Sequence, residues 1–265
     1  MNRIALKFSR LRESGKKALI PYLTPEFPRP GVTLPLLNGL AEAGVDLIEV
    51  GIPFSDPLAD GKTIQYSSQV ALENGVSLTI ILRAIREFRS EQDLPVILMG
   101  YMNPILRYGV ERFIQHASQA GVDGLIVPDL PPEEASELVG AAKQASVSNI
   151  FLIAPTTNEE RIRMIDNYST DFSYCVSVAG VTGQRTELGD NGGLDSFLLR
   201  VKNNVRKPFV VGFGISNPDH VRQVWRHADG AVVGSAMIDA MAGAKTKKEA
   251  VNAAVRFMNK LRPAS

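Results

Sequence analysis

Two acidic side chains, Glu49 and Asp60, are the strongest candidates for chemistry in the sequence. Glu49 interrupts an apolar run, and Asp56 and Asp60 follow it in a stretch that is rich in proline and glycine. Side chains alternate along a strand, so Glu49 shares a face with Leu47 and Gly51. If that face is the interior of a barrel, burial raises the pKa of the Glu49 carboxyl toward the range of a general acid–base group.

Each of these acidic residues also has a structural interpretation. A buried glutamate can be paired with arginine or lysine, and Asp60 is placed to cap a helix that begins near Thr63. The apolar runs contain no lysine or arginine, and Glu49 lies near the C-terminal end of its run. The functional interpretation is therefore favoured for Glu49, whereas both interpretations stay open for Asp60.

Glycine clusters follow or close the last three apolar runs of the sequence. The clusters read GVTG at 180–183, GFGIS at 212–216 and GS at 234–235. Glycine lets backbone N–H groups approach an anion closely, and a helix that begins after Gly234 adds unpaired N–H donors. Any one cluster could be an ordinary turn, but three at successive strand ends predict a phosphate site.

The lysines and histidines that other barrel chemistries use are absent from the apolar runs. A Schiff-base aldolase needs a lysine there, and a metal-dependent aldolase needs a cluster of histidine or carboxylate ligands. His116, His220 and His227 fall in segments with helical periodicity, and Cys175 lies in an apolar run without a histidine near it in sequence. We therefore expect no metal and no cofactor in this chain.

The charge balance argues against several classes of partner. The sequence has 29 basic and 28 acidic residues, which are interspersed and leave a formal net charge of +1. Without a basic stripe, nucleic-acid binding is not expected. No apolar run is long enough to span a bilayer, and the N-terminal segment lacks the apolar core of a signal peptide. A single cysteine suits a reducing compartment, so we expect a soluble cytoplasmic protein.

Eight short apolar runs must provide the strands that position these residues. Their near-continuous hydrophobicity is typical of parallel strands that are covered by helices. The runs span residues 18–24, 46–52, 95–101, 124–130, 149–155, 172–178, 208–214 and 230–236.

Segments with helical periodicity alternate with these runs. Residues 32–43 form one such segment, which ends before Gly44, and Asn217 and Pro218 predict the start of another. Eight strand–helix units predict a single-domain (β/α)8 TIM barrel over residues 1–265, with an extra N-terminal helix. Apolar stripes predict the two terminal helices, at Ile4, Phe8 and Leu11 and at Val251, Ala254, Val255, Met258 and Leu261.

An open, doubly wound sheet is the alternative arrangement of alternating strands and helices. Its usual fingerprint is G-x-G-x-x-G after the first strand. The segment YLTP at 22–25 stands there instead, which favours the barrel. In a barrel, functional side chains collect at the C-terminal ends of the strands, where Glu49 and the glycine clusters are expected.

The segment EVGIPFSDPLADGKTIQ at residues 49–65 closely resembles the hallmark of the tryptophan synthase α subunit family. This segment is one of several motifs that match the family, and together they follow the order of the strands and cover nearly the whole chain. The other motifs are YMNPI at 101–105, GVDGLIVPDLPPEE at 121–134, APTT at 154–157, GVTG at 180–183, GFGIS at 212–216 and VVGSA at 232–236.

The resemblance implies the cleavage of indole-3-glycerol phosphate into indole and glyceraldehyde 3-phosphate, a retro-aldol reaction of tryptophan biosynthesis. It implies that Glu49 is the acid–base residue that protonates the indole ring carbon and handles the proton of the glycerol hydroxyl. Asp60 would accept a hydrogen bond from the indole N–H and stabilise the positive charge that develops on the ring.

The resemblance also implies substrate contacts and a partner. The loops 53–60 and 178–193 would be mobile lids that face a tryptophan synthase β subunit, in an α2β2 heterotetramer whose β subunit carries pyridoxal phosphate. The family's phosphate-binding positions match Gly183, Gly214, Gly234 and Ser235, and its indole pocket matches Tyr22, Ile64, Tyr101, Tyr174 and Thr182.

Two departures from the family pattern concern the lids. Lys62 stands where the family often has proline, and Val178-Ala179 replaces a more polar pair found in some members. Both departures bear on how the lids are expected to open and close, and neither changes the carboxylates or the phosphate glycines. Two other functions stay open: another phosphosugar enzyme, such as an isomerase or a decarboxylative cyclase, and a chiefly regulatory partner of a β subunit.

Overall fold

Short strands alternate with helices along the chain in the computed structural model, which describes residues 2–176, 193–212 and 214–262. The strands are β1 Ala18–Leu23, β2 Ile48–Gly51, β3 Val96–Met99, β4 Gly124–Ile126, β5 Ser148–Ile150, β6 Leu152–Ile153, β7 Ser173–Val176, β8 Phe209–Gly212 and β9 Gly230–Val233. The helices are α1 Arg3–Glu13, α2 Thr33–Glu42, α3 Lys62–Glu73, α4 Leu78–Arg89, α5 Met102–Tyr108, α6 Val110–Ala120, α7 Ser136–Gln144, α8 Glu159–Tyr168, α9 Gly193–Lys202, α10 Pro218–Trp225, α11 Ser235–Ala242 and α12 Lys247–Leu261, with a 3-10 turn at Pro132–Glu134.

The strands form one parallel sheet whose two ends meet in a single stretch of chain. The strand order is β5-β4-β3-β2-β1-β9-β8-β7-β6. β5 pairs with β4 and β6 pairs with β7, and Phe151 alone separates β5 from β6. The sheet therefore closes on itself, which confirms the predicted TIM barrel fold.

The prediction of one continuous strand at residues 149–155 is wrong, because the structure has two short strands there, β5 and β6. The N–H group of Phe151 donates to the Ser169 hydroxyl at 3.1 Å instead of to a neighbouring strand. This side-chain acceptor interrupts the ladder for one residue. Each of the other seven predicted runs contains one strand that is shorter than the run.

Helix α1 closes the N-terminal end of the barrel. Its residues Ile4, Phe8 and Leu11 are buried in one cluster with inward-facing residues of the strands. The Phe8 ring packs against Phe172, which directly precedes β7, with ring centroids 5.4 Å apart. The extra N-terminal helix is thereby confirmed, and the C-terminal ends of the strands are the end at which a site is expected.

The outer helices pack a second apolar layer against the sheet. Helix α2 ends where predicted, since Gly44 follows it with a φ of +73°. Helix α10 also begins as predicted, because the Asn217 side chain accepts a hydrogen bond from the His220 N–H at 2.9 Å. Within the described residues, no helix combines the length and the apolar character needed to cross a membrane.

Candidate active site

The side chain of Glu49 on β2 faces the barrel interior. Ile48 and Val50 belong to the apolar layer between the sheet and the helices, whereas Leu47 belongs to the interior cluster. Because side chains alternate along a strand, Glu49 shares the interior face with Leu47. Glu49 is only 2% exposed, so the predicted inward-facing carboxyl is confirmed in its position.

Burial controls the protonation of Glu49. It raises the pKa of the carboxyl to about 8, and the like charge of Asp60 adds to this effect. Within the described residues, no cation contributes to this shift and no ion pair involves Glu49. Among the described residues, no arginine or lysine forms the structural pair that was the alternative for Glu49. At neutral pH Glu49 is mostly protonated and is able to donate a proton.

Asp60 lies in the loop between β2 and α3. This helix begins at Lys62 with Gly61 as its N-cap, so the alternative of an Asp60 helix cap is wrong. Burial raises the pKa of Asp60 to about 6, and a hydrogen bond from Tyr101 acts in the opposite direction. The two carboxyls therefore hold different protonation states near neutral pH.

The Tyr101 side chain joins Asp60 to the barrel. Its hydroxyl accepts a hydrogen bond from the Ala59 N–H at 2.9 Å and donates one to Oδ2 of Asp60 at 3.2 Å. Its ring packs against Phe54 with centroids 5.5 Å apart. Tyr101 thus contacts the loop near both ends and orients one of the two candidate carboxylates.

Gly51 and Gly212 make room for tyrosine rings, a role that the sequence alone did not assign to either glycine. A Cβ atom at Gly51 would lie 2.1 Å from the Tyr22 hydroxyl, and one at Gly212 would lie 1.9 Å from the Tyr174 hydroxyl. Burial raises the pKa of both tyrosines, and the nearby carboxyls of Glu49 and Asp60 add to this effect. Both hydroxyls therefore stay protonated, as neutral donors. A glycine on the strand beside a tyrosine-bearing strand is the signal that could have found these positions.

Two of the predicted phosphate glycines follow neighbouring strands at the same level. Val210 of β8 pairs with Gly230 of β9, and Gly214 and Gly234 each lie four residues further along. Gly214 adopts a φ of +78°, which favours glycine. Gly234 is the N-cap of α11, whose first residue is Ser235. Backbone N–H groups at a helix start are available to an anion.

Of the remaining predicted substrate contacts, the structure describes Ile64 but not Thr182 or Gly183. Ile64 is buried in the first turn of α3, close in sequence to Asp60. Thr182, Gly183 and the lid at 178–193, apart from Gly193 itself, lie outside the described residues. Lys62 is exposed as the first residue of α3.

The sequence predicted that all three histidines lie in helices, and two of them do. His116 lies in α6 and His220 in α10, but His227 follows the end of α10. The His220 ring also contacts the Gly214 carbonyl at 3.1 Å, which periodicity alone could not reveal. Among the residues that the structure describes, no group of three or more His, Cys, Asp or Glu side chains is arranged to hold a metal ion. Cys175 is a free, buried thiol on β7.

Comparisons with known proteins agree over nearly the full length. The sequence model of the family described as "Tryptophan synthase alpha chain" matches residues 8–264. The tryptophan synthase alpha chain of Prosthecochloris aestuarii is 46% identical over 263 residues, which cover 97% of this chain and 98% of that protein. The alpha chain of Chlorobaculum tepidum is 46% identical over 265 residues, with the same coverage of 97% and 98%.

Solved structures show the same fold. Tryptophan synthase subunit alpha of Legionella pneumophila superposes with a TM-score of 0.89 at 36% identity, and the match covers 99% of this chain and 97% of that one. A structure titled for the mutual activation of the α2β2 complex of Pyrococcus furiosus gives a TM-score of 0.83 at 40% identity, with 92% and 97% coverage. From its sequence and its fold, this chain belongs to the tryptophan synthase alpha chain family.

Proposed function

We propose that Glu49 and Asp60 together carry out the reaction of this family, the cleavage of indole-3-glycerol phosphate into indole and glyceraldehyde 3-phosphate. The observation that supports this most strongly is a pair of neighbouring carboxyls with pKa values of about 8 and about 6. The cleavage needs one group that donates a proton and a second that stays charged to stabilise a cation.

The first step is proton donation from Glu49 to the ring carbon that carries the glycerol chain. The ring becomes positively charged, and the Asp60 carboxylate stabilises it by accepting a hydrogen bond from the ring N–H. Glu49, now charged, takes the proton of the adjacent hydroxyl. The carbon–carbon bond then breaks, and its electron pair neutralises the ring. Indole keeps the donated proton, and the hydroxyl carbon becomes the aldehyde.

The substrate is held at its two ends in this proposal. The phosphate binds at the glycines that follow β7, β8 and β9 in the chain, and the start of α11 supplies N–H donors and the positive end of its dipole. The indole ring lies among aromatic and apolar side chains near the carboxyls. The phosphate residues are Gly183, Gly214, Gly234 and Ser235, and the indole residues are Tyr22, Ile64, Tyr101, Tyr174 and Thr182.

The indole product passes to a β subunit. The Pyrococcus furiosus relative is described as part of an α2β2 complex, and we extend this assembly to the present chain. The loop at 53–60 supports it, because Leu58 is 94% exposed there. Pyridoxal phosphate belongs to the β subunit in this assembly, since acid–base chemistry suffices in the α subunit. The free thiol of Cys175 suits a reducing compartment, and we place the chain in the cytoplasm.

Indole release from indole-3-glycerol phosphate tests this proposal. Glutamine at position 49 keeps the size of the side chain and removes the proton donor, so Glu49→Gln should lower turnover by about two to four orders of magnitude. Glu42→Gln, on the exposed side of α2, is the matched control. Near-normal indole release by Glu49→Gln would contradict the proposal. Measurements with and without a β subunit distinguish a catalytic from a purely regulatory chain.

A further inference from the structure

The helix that follows Tyr101 is capped by a residue from a different loop. Tyr101 is the N-cap of α5, yet its own side chain makes no capping hydrogen bond. Asp129, in the loop after β4, takes this role instead. Its two carboxylate oxygens accept from the Met102 N–H at 2.9 and 3.2 Å. The Tyr101 side chain is therefore free to reach the other way, toward Asp60.

The backbone is anchored on both sides of Tyr101 by the same neighbouring segment. On one side the Gly100 N–H donates to the Ile126 carbonyl of β4 at 3.1 Å. On the other side the Met102 N–H donates to Asp129. The position of residue 101 is thus set by β4 and the loop that follows it.

The position of the Tyr101 hydroxyl depends on this backbone. A tyrosine ring is rigid, so a shift of its Cα atom moves the hydroxyl with it. The hydroxyl binds both Ala59 and Asp60, and the bond to Asp60 is already 3.2 Å long. Hydrogen bonds weaken quickly beyond this length. A small displacement at the start of α5 would therefore release the Asp60 carboxylate.

We propose that Asp129 is a positioning residue for the reaction, acting through the start of α5 and the Tyr101 hydroxyl to hold Asp60 in place. This inference rests on the proposed function, because the orientation of Asp60 matters only if it faces the substrate. Asp129 lies on the exposed side of its loop and need not touch the substrate. Helix α5 has only seven residues, so the loss of its cap acts locally and leaves the barrel folded.

Kinetics of the full chain test this role. Asp129→Ala removes the cap and should lower kcat by about tenfold, the size expected when a hydrogen bond to a charged carboxylate is weakened. Asp129→Asn keeps an acceptor for the Met102 N–H and should retain most of kcat. In a Tyr101→Phe background, Asp129→Ala should cause little further loss, because the route to Asp60 is already broken. Glu134→Ala, an exposed carboxylate near the same loop, is the matched control.

A second measurement does not depend on activity. The Asp60 carboxyl can be followed by 13C NMR and identified by its loss in Asp60→Asn. Because the hydrogen bond from Tyr101 lowers the pKa of Asp60, both Asp129→Ala and Tyr101→Phe should raise it. An unchanged Asp60 titration in folded Asp129→Ala would overturn the inference, as would equal loss of kcat in Asp129→Asn and Asp129→Ala. A wild-type chain that does not release indole would instead overturn the proposed function, and the titration would still decide whether Asp129 holds Asp60 in place through Tyr101.

Discussion

Burial acts unequally on the two carboxyls of the site. Glu49 on β2 is almost fully enclosed, and its pKa is about 8. Asp60 is half-buried in a loop, where the hydrogen bond from Tyr101 opposes the effect of burial and the pKa is about 6. Between these values Glu49 is mostly neutral and Asp60 is mostly charged. This combination is the one that the proposed cleavage requires.

We predict a bell-shaped pH dependence of kcat/KM, with limbs near pH 6 and pH 8. Activity falls below the lower limb because Asp60 takes up a proton, and it falls above the upper limb because Glu49 loses one. Asp60→Asn should lower turnover and abolish the lower limb in an assay of indole release. A lower limb that persists unchanged in Asp60→Asn would contradict the role of Asp60.

The close approach of the Tyr22 side chain to Gly51 predicts that a larger residue at position 51 destabilises the protein. A Cβ at Gly51 lies 2.1 Å from the Tyr22 hydroxyl and 2.7 Å from Cζ, so Gly51→Ala should lower the free energy of unfolding by about 1–3 kcal/mol. Tyr22→Leu in the same chain should recover part of this loss. Gly140→Ala is the control, because nothing lies within 4 Å of its Cβ, and it should stabilise α7 slightly. Additive effects of Gly51→Ala and Tyr22→Leu in urea unfolding would argue against the contact.

At the scale of elements, the side chains that cap α10 and α12 differ in how close they lie to the candidate site. Asn217 caps α10 and also contacts the His220 ring, which in turn contacts the Gly214 carbonyl. Thr246 caps α12 in the same way, at the Glu249 N–H. The two caps are chemically similar, but only the first belongs to an element that begins beside a proposed phosphate loop.

We therefore predict that Asn217→Ala and Thr246→Ala each lower the free energy of unfolding by about 1 kcal/mol. Only Asn217→Ala should also raise KM for the phosphorylated substrate, because it loosens the segment after Gly214. Inorganic phosphate, tested as a competitive inhibitor, should bind more weakly to Asn217→Ala alone. The same KM change in both variants would show that general loosening, and not the α10 cap, is responsible.

Three aspartates organise the N-terminal end of the whole barrel. Each precedes one strand and accepts a hydrogen bond from the N–H group at or near the start of the neighbouring strand. The pairs are Asp46 with Leu19 at 3.0 Å, Asp123 with Val96 at 2.9 Å and Asp229 with Phe209 at 3.1 Å. They hold adjacent strands in register on the side opposite to the site.

Asp123 offers a test at the scale of the whole molecule. It is 4% exposed and also binds Arg89 at 2.9 Å, so Asp123→Ala should lower the free energy of unfolding by about 3 kcal/mol. Asp93→Ala removes the exposed partner of Arg3 and should change the free energy of unfolding by less than about 1 kcal/mol.

We propose that residues 1–265 form a single domain. Fluorescence of the only tryptophan, Trp225, should then shift together with circular dichroism in Asp123→Ala. Separate transitions would contradict a single domain.

The sequence by itself determined the features that depend on local periodicity. Alternating apolar runs and helical stripes predicted the barrel, the N-terminal helix and the inward side of Glu49, because burial repeats every two residues in a strand and about every 3.6 in a helix. Turn and cap chemistry correctly predicted the end of α2 at Gly44 and the start of α10 at Asn217. The motif resemblance identified the family, which the comparisons confirmed.

The tertiary structure alone decided which distant groups meet. It showed that no cation within the described residues neutralises Glu49, that Gly61 and not Asp60 caps α3, and that Ser169 divides the fifth strand. It also brought Asp129 to the start of α5 and Tyr101 to Asp60. Such contacts join segments separated by tens of residues, and the pKa of each carboxyl follows from the burial that these contacts create. No pattern within a single element contains that information.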